Sequence, residues 1–140
     1  MCVGFDPSGK KLVSGSYDKT VRIWDVTTGE PIGSPLRGDK AVHCVSFSPD
    51  GDMLAAGDGN YRGGNVRLYD VQTGEVKSTL TGHTDWVTQV EFIDADTVVS
   101  SSDDGTTRAW DVGTGTQKTE FEGDKFSFTR SSGVEQTVSA

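Results

Sequence analysis

A six-residue pattern recurs three times in this 140-residue chain and constrains its fold more than any other feature. The copies begin at Val21, Val66 and Thr107, each ends in Asp-Val, and a Thr-Gly turn follows one residue later. Their Asp residues are separated by 45 and then 41 residues. Self-similarity at such a period is typical of architectures in which one supersecondary unit is repeated along the chain.

A second shared element precedes each copy. The Phe-x-Pro-x-Gly sequence at 5–9 recurs at 47–51, and a degenerate third version follows. Pro and Gly at these positions mark a turn between two strands. Short segments of small and apolar residues come next, beginning at Leu12, Leu54 and Val98, and they suit strands buried on both faces. Each unit is therefore predicted to contain strands a, b, c and d in order. No helical periodicity interrupts this all-β pattern.

These repeats resemble those of the WD-repeat (beta-transducin-like) family of β-propellers. The resemblance covers residues 1–121 and is strongest in the third unit, which Gly82-His83 opens and Trp110-Asp111 closes. It implies a partial, open β-propeller of four-stranded antiparallel blades, forming a single domain over 1–140. The predicted boundaries are blade one 1–37, blade two 41–80, blade three 86–121 and a partial fourth blade 125–140.

The resemblance also implies a buried network in the third unit, formed by His83, Ser102, Asp104 and Trp110. In the family the Trp indole N–H meets the Ser hydroxyl, the His bridges, and the Asp holds the far ring nitrogen. Ser102 and Asp104 are two residues apart, so on a strand their side chains leave the same face. A buried indole and imidazole both need partners, and a satisfied network fixes one packing.

The other two units depart from this pattern. Unit one keeps three members at the same offsets, Ser16, Asp18 and Trp24, while its His would precede the first residue. Unit two differs at three positions, where Asp39, Gly63 and Tyr69 replace His, Asp and Trp. We expect the network of unit two to be lost.

Trp86 is the strongest candidate for a binding residue, because it lies in the predicted loop between strand d of one unit and strand a of the next. Tryptophan is enriched among interface hot spots, and packing of Trp86 onto its own blade is the equal alternative. The same loop and the family's top-face positions nominate Asp85, Thr88, Tyr17, Asp103 and His43. The b–c turn of unit two is enlarged by about four residues, and its Tyr61 and Arg62 are further contact candidates.

Catalytic and metal-binding interpretations are disfavoured by spacing. Ser102, His83 and Asp104 invite a hydrolase interpretation, but no G-x-S-x-G elbow is present and the same offsets recur in unit one. The Gly-rich stretch 57–65 lacks the Lys-Ser/Thr of a P-loop and precedes a strand. Acidic pairs do not follow the calcium-loop pattern, and two separated His with two Cys form no zinc set. We therefore predict no catalytic residue, no metal and no cofactor.

Charge and cysteine content limit the classes of partner and the cellular compartment that we expect. Thirteen basic and 21 acidic residues give a net charge of −8, which disfavours a phosphate backbone or an anionic membrane as the direct partner. Cys2 and Cys44 do not form a disulfide framework, and Cys44 is interpreted as a small buried hydrophobe. With no signal segment or long apolar run, we expect a cytoplasmic protein, with the nucleus as an alternative.

Three blades and a half cannot close a ring, so two apolar blade faces would be left uncovered. We expect either a fragment of a longer propeller or multidomain protein, which we favour, or a chain that self-associates. The predicted function is a non-catalytic scaffold that binds other proteins. The alternatives are an enzyme or small-molecule binder using the propeller channel, and a ligand-sensing repeat segment of a regulatory protein.

Overall fold

The chain forms three four-stranded antiparallel sheets, each a simple meander in chain order. The computed structural model describes residues 2–60, 62–122, 126–127 and 137–138. Blade one contains β1 Cys2–Phe5, β2 Lys11–Gly15, β3 Thr20–Asp25 and β4 Pro31–Arg37. Blade two contains β5 Val42–Phe47, β6 Met53–Asp58, β7 Gly64–Asp70 and β8 Val76–His83. Blade three contains β9 Val87–Asp94, β10 Thr97–Ser102, β11 Thr106–Asp111 and β12 Thr116–Glu122.

The prediction of an all-β, open propeller is confirmed. The three sheets are unclosed over the described residues, and those residues contain no helix. Beyond blade three, β13 Phe126–Ser127 pairs with β14 Thr137–Val138. The other residues of the predicted fourth blade lie outside the described residues.

Neighbouring blades pack through their a and b strands. Strand β5 lies against β1 on one side and β9 on the other. Every residue of β10 is buried, as the small and apolar composition of the b strands predicts. The d strands are the most exposed, with four exposed residues opening β4, and they form the outer edges of the blades.

Two apolar clusters hold the blades together. The seam between blades one and two includes Val13, Val21, Leu54 and Tyr69. The seam between blades two and three includes Val66, Leu68, Leu80, Phe92, Val98 and Trp110. Cys44 belongs to this second cluster, and burial raises the pKa of its thiol, as expected for a small buried hydrophobe.

The b–c turns and the d–a loops lie at the same end of the blades, because the strands alternate in direction. We call this end the top surface. Strand β8 continues to His83, three residues past the predicted boundary, because Asn65 and Gly64 extend the pairing of β7 as far as His83. The extension brings His83 to the top of the seam between blades two and three.

Candidate functional site

A directed chain of hydrogen bonds crosses the seam between blades two and three. The Trp110 indole N–H donates to the Ser100 hydroxyl at 2.8 Å, and Ser100 Oγ lies 2.8 Å from His83 Nε2. His83 Nδ1 lies 2.9 Å from Asp104 Oδ2. A carboxylate only accepts, so Nδ1 carries the proton. The chain then runs from Trp110 through Ser100 and His83 to Asp104, and every member has a partner.

The position of His83 makes this network a link between blades. His83 ends the last strand of blade two, whereas Ser100, Asp104 and Trp110 all belong to blade three. The edge of the imidazole also contacts the Trp110 ring, with centroids 6.2 Å apart. His83, Ser100 and Trp110 are buried, so the low local dielectric strengthens these bonds.

The prediction that Ser102 accepts from the Trp110 indole is wrong by two residues. The structure places Ser100, not Ser102, against Trp110, because the register of β10 and β11 pairs Val98 with Trp110. Ser100 is two residues from that position on the same face, about 7 Å along the strand, whereas Ser102 is about 13 Å away. The same correction applies in blade one, where Trp24 donates to Ser14 at 3.0 Å instead of to Ser16.

Ser102 and Ser16 instead shape the b–c turns. The Ser102 hydroxyl donates to the Asp85 carbonyl at 3.1 Å and accepts from the Asp104 amide at 3.0 Å. Ser16 accepts from the Asp18 amide in the same way at 3.2 Å. Asp104 itself lies in the turn and not on the strand, so the same-face argument for Ser102 and Asp104 does not hold.

Asp104 is the anchor of the b–c turn of blade three. Its Oδ1 accepts from the amide and the hydroxyl of Thr106, and its Oδ2 accepts from His83 and the Thr84 amide. Burial alone would raise the pKa of Asp104, but the hydrogen bonds from Thr106, Thr84 and His83 outweigh it. They lower this pKa to about 2.

Asp18 holds the equivalent turn of blade one, accepting from the amide and hydroxyl of Thr20. Those hydrogen bonds lower the pKa of Asp18 below its ordinary value. Asp18 and Tyr17 are exposed, in contrast to the enclosed carboxylate of blade three.

Blade two uses an ion-pair triad at the corresponding seam. Arg67 Nη2 lies 2.7 Å from Asp39 Oδ2, and Arg67 Nε lies 3.2 Å from Asp58 Oδ2. Asp39 stands in the loop before β5, while Asp58 and Arg67 belong to blade two, so the triad ties that loop to the blade. Burial lowers the pKa of Arg67, but the two carboxylates more than offset this and raise it.

The predicted loss of the His–Ser–Asp–Trp network in blade two agrees with these contacts, but the seam is not left without polar links. Ala56 faces Arg67 at the register where blade three pairs Ser100 with Arg108. The Asn65 amide donates to Asp58 Oδ1 at 2.9 Å, the role that Thr106 and Asp104 fill in blade three.

Three aromatic rings line up on the top surface. Tyr17 lies in the b–c turn of blade one, His43 near the start of β5, and Trp86 in the loop before β9. The ring centroids of Tyr17 and His43 are 5.3 Å apart, and His43 stacks on Trp86 at 4.8 Å with an interplanar angle of 14°. We call these three residues the aromatic row. It spans all three blades, and the exposed fractions of Tyr17 and Trp86 are 66% and 37%.

The close approach of the Trp86 main chain to the enlarged turn of blade two requires a glycine at position 59. Gly59 has φ +152°, and a Cβ atom added to it would lie 2.8 Å from the Trp86 Cα. A Cβ at Gly64 would lie 2.7 Å from the Asp85 carbonyl oxygen. The enlarged turn of blade two, predicted as a contact loop, therefore forms the seat of the Trp86 loop.

The other predicted contact residues either border the aromatic row or, in the case of Tyr61, lie outside the described residues. The Asp103 amide donates to the Trp86 carbonyl at 3.0 Å, and Asp85 Oδ1 accepts from the Trp86 amide at 2.8 Å. Thr88 is exposed, and its hydroxyl donates to the Ser101 carbonyl at 3.3 Å. Arg62 is exposed in the enlarged turn, and Tyr61 lies outside the described residues.

Sequence reasoning missed Ser100, Ser14, Asp58 and Arg67. A signal for the two serines was present: counting back symmetrically across the b–c turns pairs Trp110 with Val98 and Trp24 with Leu12. A signal for Asp58 and Arg67 was weaker, because Arg22 and Arg108 occupy the same offset without the acidic residue that Asp58 provides.

The described part of the chain contains neither a cluster of metal-ligating side chains nor a membrane-spanning helix. No group of three or more His, Cys, Asp or Glu side chains in it is arranged to hold a metal ion. No helix in it could cross a membrane.

Curated relatives align with this chain over most of its length, at 33–38% sequence identity. It is 33% identical over 111 residues to the protein tipD of Dictyostelium discoideum, covering 79% of this chain and 18% of tipD. It is 38% identical over 104 residues to the target of rapamycin complex subunit wat1 of Schizosaccharomyces pombe, covering 72% of this chain and 32% of wat1. It is 38% identical over 103 residues to SPA1-related 3 of Arabidopsis thaliana, covering 72% of this chain and 12% of that protein. The chain thus spans less than a third of each relative.

Solved structures show the same fold. The crystal structure of the RRP9 WD40 repeats matches with a TM-score of 0.78 at 23% identity, covering 87% of this chain and 38% of that chain. The structure of U3-55K gives the same values. At this identity the likeness concerns the fold alone.

A family model bears directly on the repeats themselves. The model for the WD domain, G-beta repeat matches residues 1–25, 29–70 and 74–111, one match for each hexapeptide copy. The matched segments take in the Trp and Tyr positions of all three units and the His83–Asp104 pair. The chain therefore belongs to the WD-repeat family.

Proposed function

We propose that this chain is a non-catalytic interaction module that binds another protein on its top surface, through the aromatic row of Tyr17, His43 and Trp86. The observation that carries the proposal is the continuity of the row across three blades. WD-repeat relatives indicate a scaffold role in general terms, and wat1 is by its name a subunit of a complex.

The chemistry of the row favours protein binding. The exposed rings of Tyr17 and Trp86, with the half-buried His43 between them, offer a large contact area at low cost in side-chain entropy, and aromatic residues are enriched at interface centres. The polar network beneath the row is satisfied internally. Ser102 in particular donates to a carbonyl and is buried, so it is not placed as a nucleophile beside His83.

The test compares the proteins captured by the wild-type chain with those captured by Tyr17→Ala and by Trp86→Ala. Tyr17 is the safer variant, because most of its side chain is exposed and its removal leaves no cavity. The matched control is Val76→Ala on β8, which removes an exposed apolar side chain from the outer edge of blade two. Circular dichroism and thermal unfolding establish that each variant is folded.

We expect at least one protein to be lost from both row variants and kept by wild type and by Val76→Ala. Identical capture by all four chains would contradict the proposed surface. A cytoplasmic location stays a prediction, for which fractionation of the source cells is the measurement.

A further inference from the structure

We propose that the partner of the aromatic row is a peptide segment bearing an arginine or lysine, and that this basic side chain lies at the Trp86 end of the row. This inference rests on the proposed function and adds the chemistry of the partner. It is carried by the charges around the row, which differ between its two ends.

The Trp86 end is acidic. Asp85 precedes Trp86 directly and accepts from the Trp86 amide at 2.8 Å, and the Asp103 amide donates to the Trp86 carbonyl at 3.0 Å, so both acidic residues adjoin the Trp86 main chain. The blade-three loops at 84–86 and 103–105 contain no Lys or Arg. Asp104, the third carboxylate of these loops, is enclosed and already holds His83.

At the Tyr17 end of the row, negative and positive charges are balanced. Asp18 follows Tyr17, but Lys19 comes next and is also exposed. Cations also occur in the loops of blade two, in and around the turn on which the Trp86 loop is seated: Lys40 donates to the Gly63 carbonyl at 3.0 Å, and Arg62 has its own interactions. On the blade-three side of Trp86, away from that turn, a basic group meets Asp85 and Asp103 in loops that contain no cation.

Aromatic faces and carboxylates together select a cation. A guanidinium or ammonium gains from the electron-rich faces of Trp and Tyr and from nearby carboxylates, and neither gain is open to a neutral or acidic side chain. An arginine fits best, because its planar group stacks on a ring while its N–H groups reach a carboxylate. The net charge of −8 favours the approach of a basic segment.

The test is selection of a displayed library of random 12-residue peptides against the whole 140-residue chain, with counter-selection against Tyr17→Ala. The enriched peptides are then synthesised, together with versions in which citrulline replaces arginine and glutamine replaces lysine. Their affinities are measured by isothermal titration at 50 mM and 500 mM NaCl.

The acidic residues are tested by the double variant Asp85→Asn with Asp103→Asn. Asp96→Asn is the matched control for the single variant Asp103→Asn, because each removes one exposed carboxylate from blade three, at opposite ends of the strands. Since Asp85 Oδ1 accepts from the Trp86 amide, the single variant Asp103→Asn serves as a second measurement that leaves that contact intact.

We expect the enriched peptides to contain arginine or lysine and to lose about tenfold in affinity in the double variant, on citrulline replacement, and at high salt. Asp96→Asn should bind like wild type. Neutral or acidic peptides that require Tyr17 would overturn the cation while leaving the proposed surface standing. Basic peptides unaffected by Tyr17→Ala, or the absence of any enrichment, would overturn both.

Discussion

The two seams between blades are linked by different polar contacts, a chain of hydrogen bonds in one and a triad of ion pairs in the other. Between blades two and three, a histidine on strand d reaches into the next blade and closes a chain of hydrogen bonds ending on Asp104. Between blades one and two, the loop residue Asp39 contacts Arg67, which in turn contacts Asp58. Each link ties a d–a connection to the blade that follows it.

The difference shows which part of the link the fold requires. Neither His83 nor its serine partner is indispensable, because blade two has Asp39 and Ala56 at those places and still forms a seam. What recurs is a buried or half-buried carboxylate that accepts an amide at the start of strand c, supplied by Asp104 for Thr106 in one blade and by Asp58 for Asn65 in the other. The exposure differs as well, since the Asp39 side chain is 82% exposed.

The largest expected effect comes from removing the cation of the ion-pair triad. Arg67→Met keeps the length of the side chain but leaves Asp58, whose side chain is 2% exposed, without its charge partner. We expect the free energy of unfolding to fall by about 3 kcal/mol, measured by urea denaturation.

Arg22→Met is the control, because Arg22 faces Ser14 at the register where Arg67 faces Ala56. Arg22 forms no ion pair within 4 Å of any described acidic group, so we expect a loss below about 1 kcal/mol. Equal losses in the two variants would show that the triad contributes nothing specific to its seam.

An intermediate effect should separate blade three from blade one. Ser100→Ala removes the acceptor of the buried Trp110 N–H and the hydrogen bond between Ser100 and His83 Nε2, and we expect a loss of about 2–3 kcal/mol. Ser14→Ala removes one acceptor from the half-buried Trp24, which water can replace, so we expect about 0.5–1 kcal/mol. Urea denaturation gives both values, and a larger loss for Ser14 would reverse the comparison.

The smallest effect is a dependence on acid. The pKa of Asp104 is lowered to about 2 from 3.8, so its contribution to stability is fully present above about pH 4 and is lost as the pH falls towards 2. That contribution is about 2 kcal/mol. Asp104→Asn should therefore be less stable than wild type at pH 7, with the gap closing near pH 2. Asp18→Asn should show a smaller change, because Asp18 is exposed. A constant gap between pH 7 and 2 would contradict this assignment.

Local patterns predicted much of the fold. The hexapeptide copies and the Pro-Gly turns place all twelve strands of the three blades, because short apolar segments between turn residues have few other ways to pair. The position of Trp86 in a predicted loop, and the family resemblance for Tyr17 and His43, nominated the residues of the aromatic row as contact candidates. The serine of the network was missed because the choice between Ser100 and Ser102 depends on the pairing register of β10 with β11.

Contacts between residues of different units could not be predicted from these local patterns. The stacking of His43 on Trp86, the seating of the Trp86 loop on Gly59, and the reach of Arg67 to Asp39 all join residues from different repeats or loops. The enlarged turn of blade two was predicted to present contact residues, which stays a prediction, and the close approach of the Trp86 loop to Gly59 was not foreseen.

By itself, the sequence determined that this chain builds WD-repeat blades, because strand period and turn chemistry are local properties written within each unit. The tertiary structure alone decided how neighbouring blades are linked and which residues of the top surface contact one another. The physical reason is that a hydrogen bond, an ion pair or a ring stack forms only within a few ångströms. The relative placement of two blades sets those distances, and that placement results from packing the whole arc.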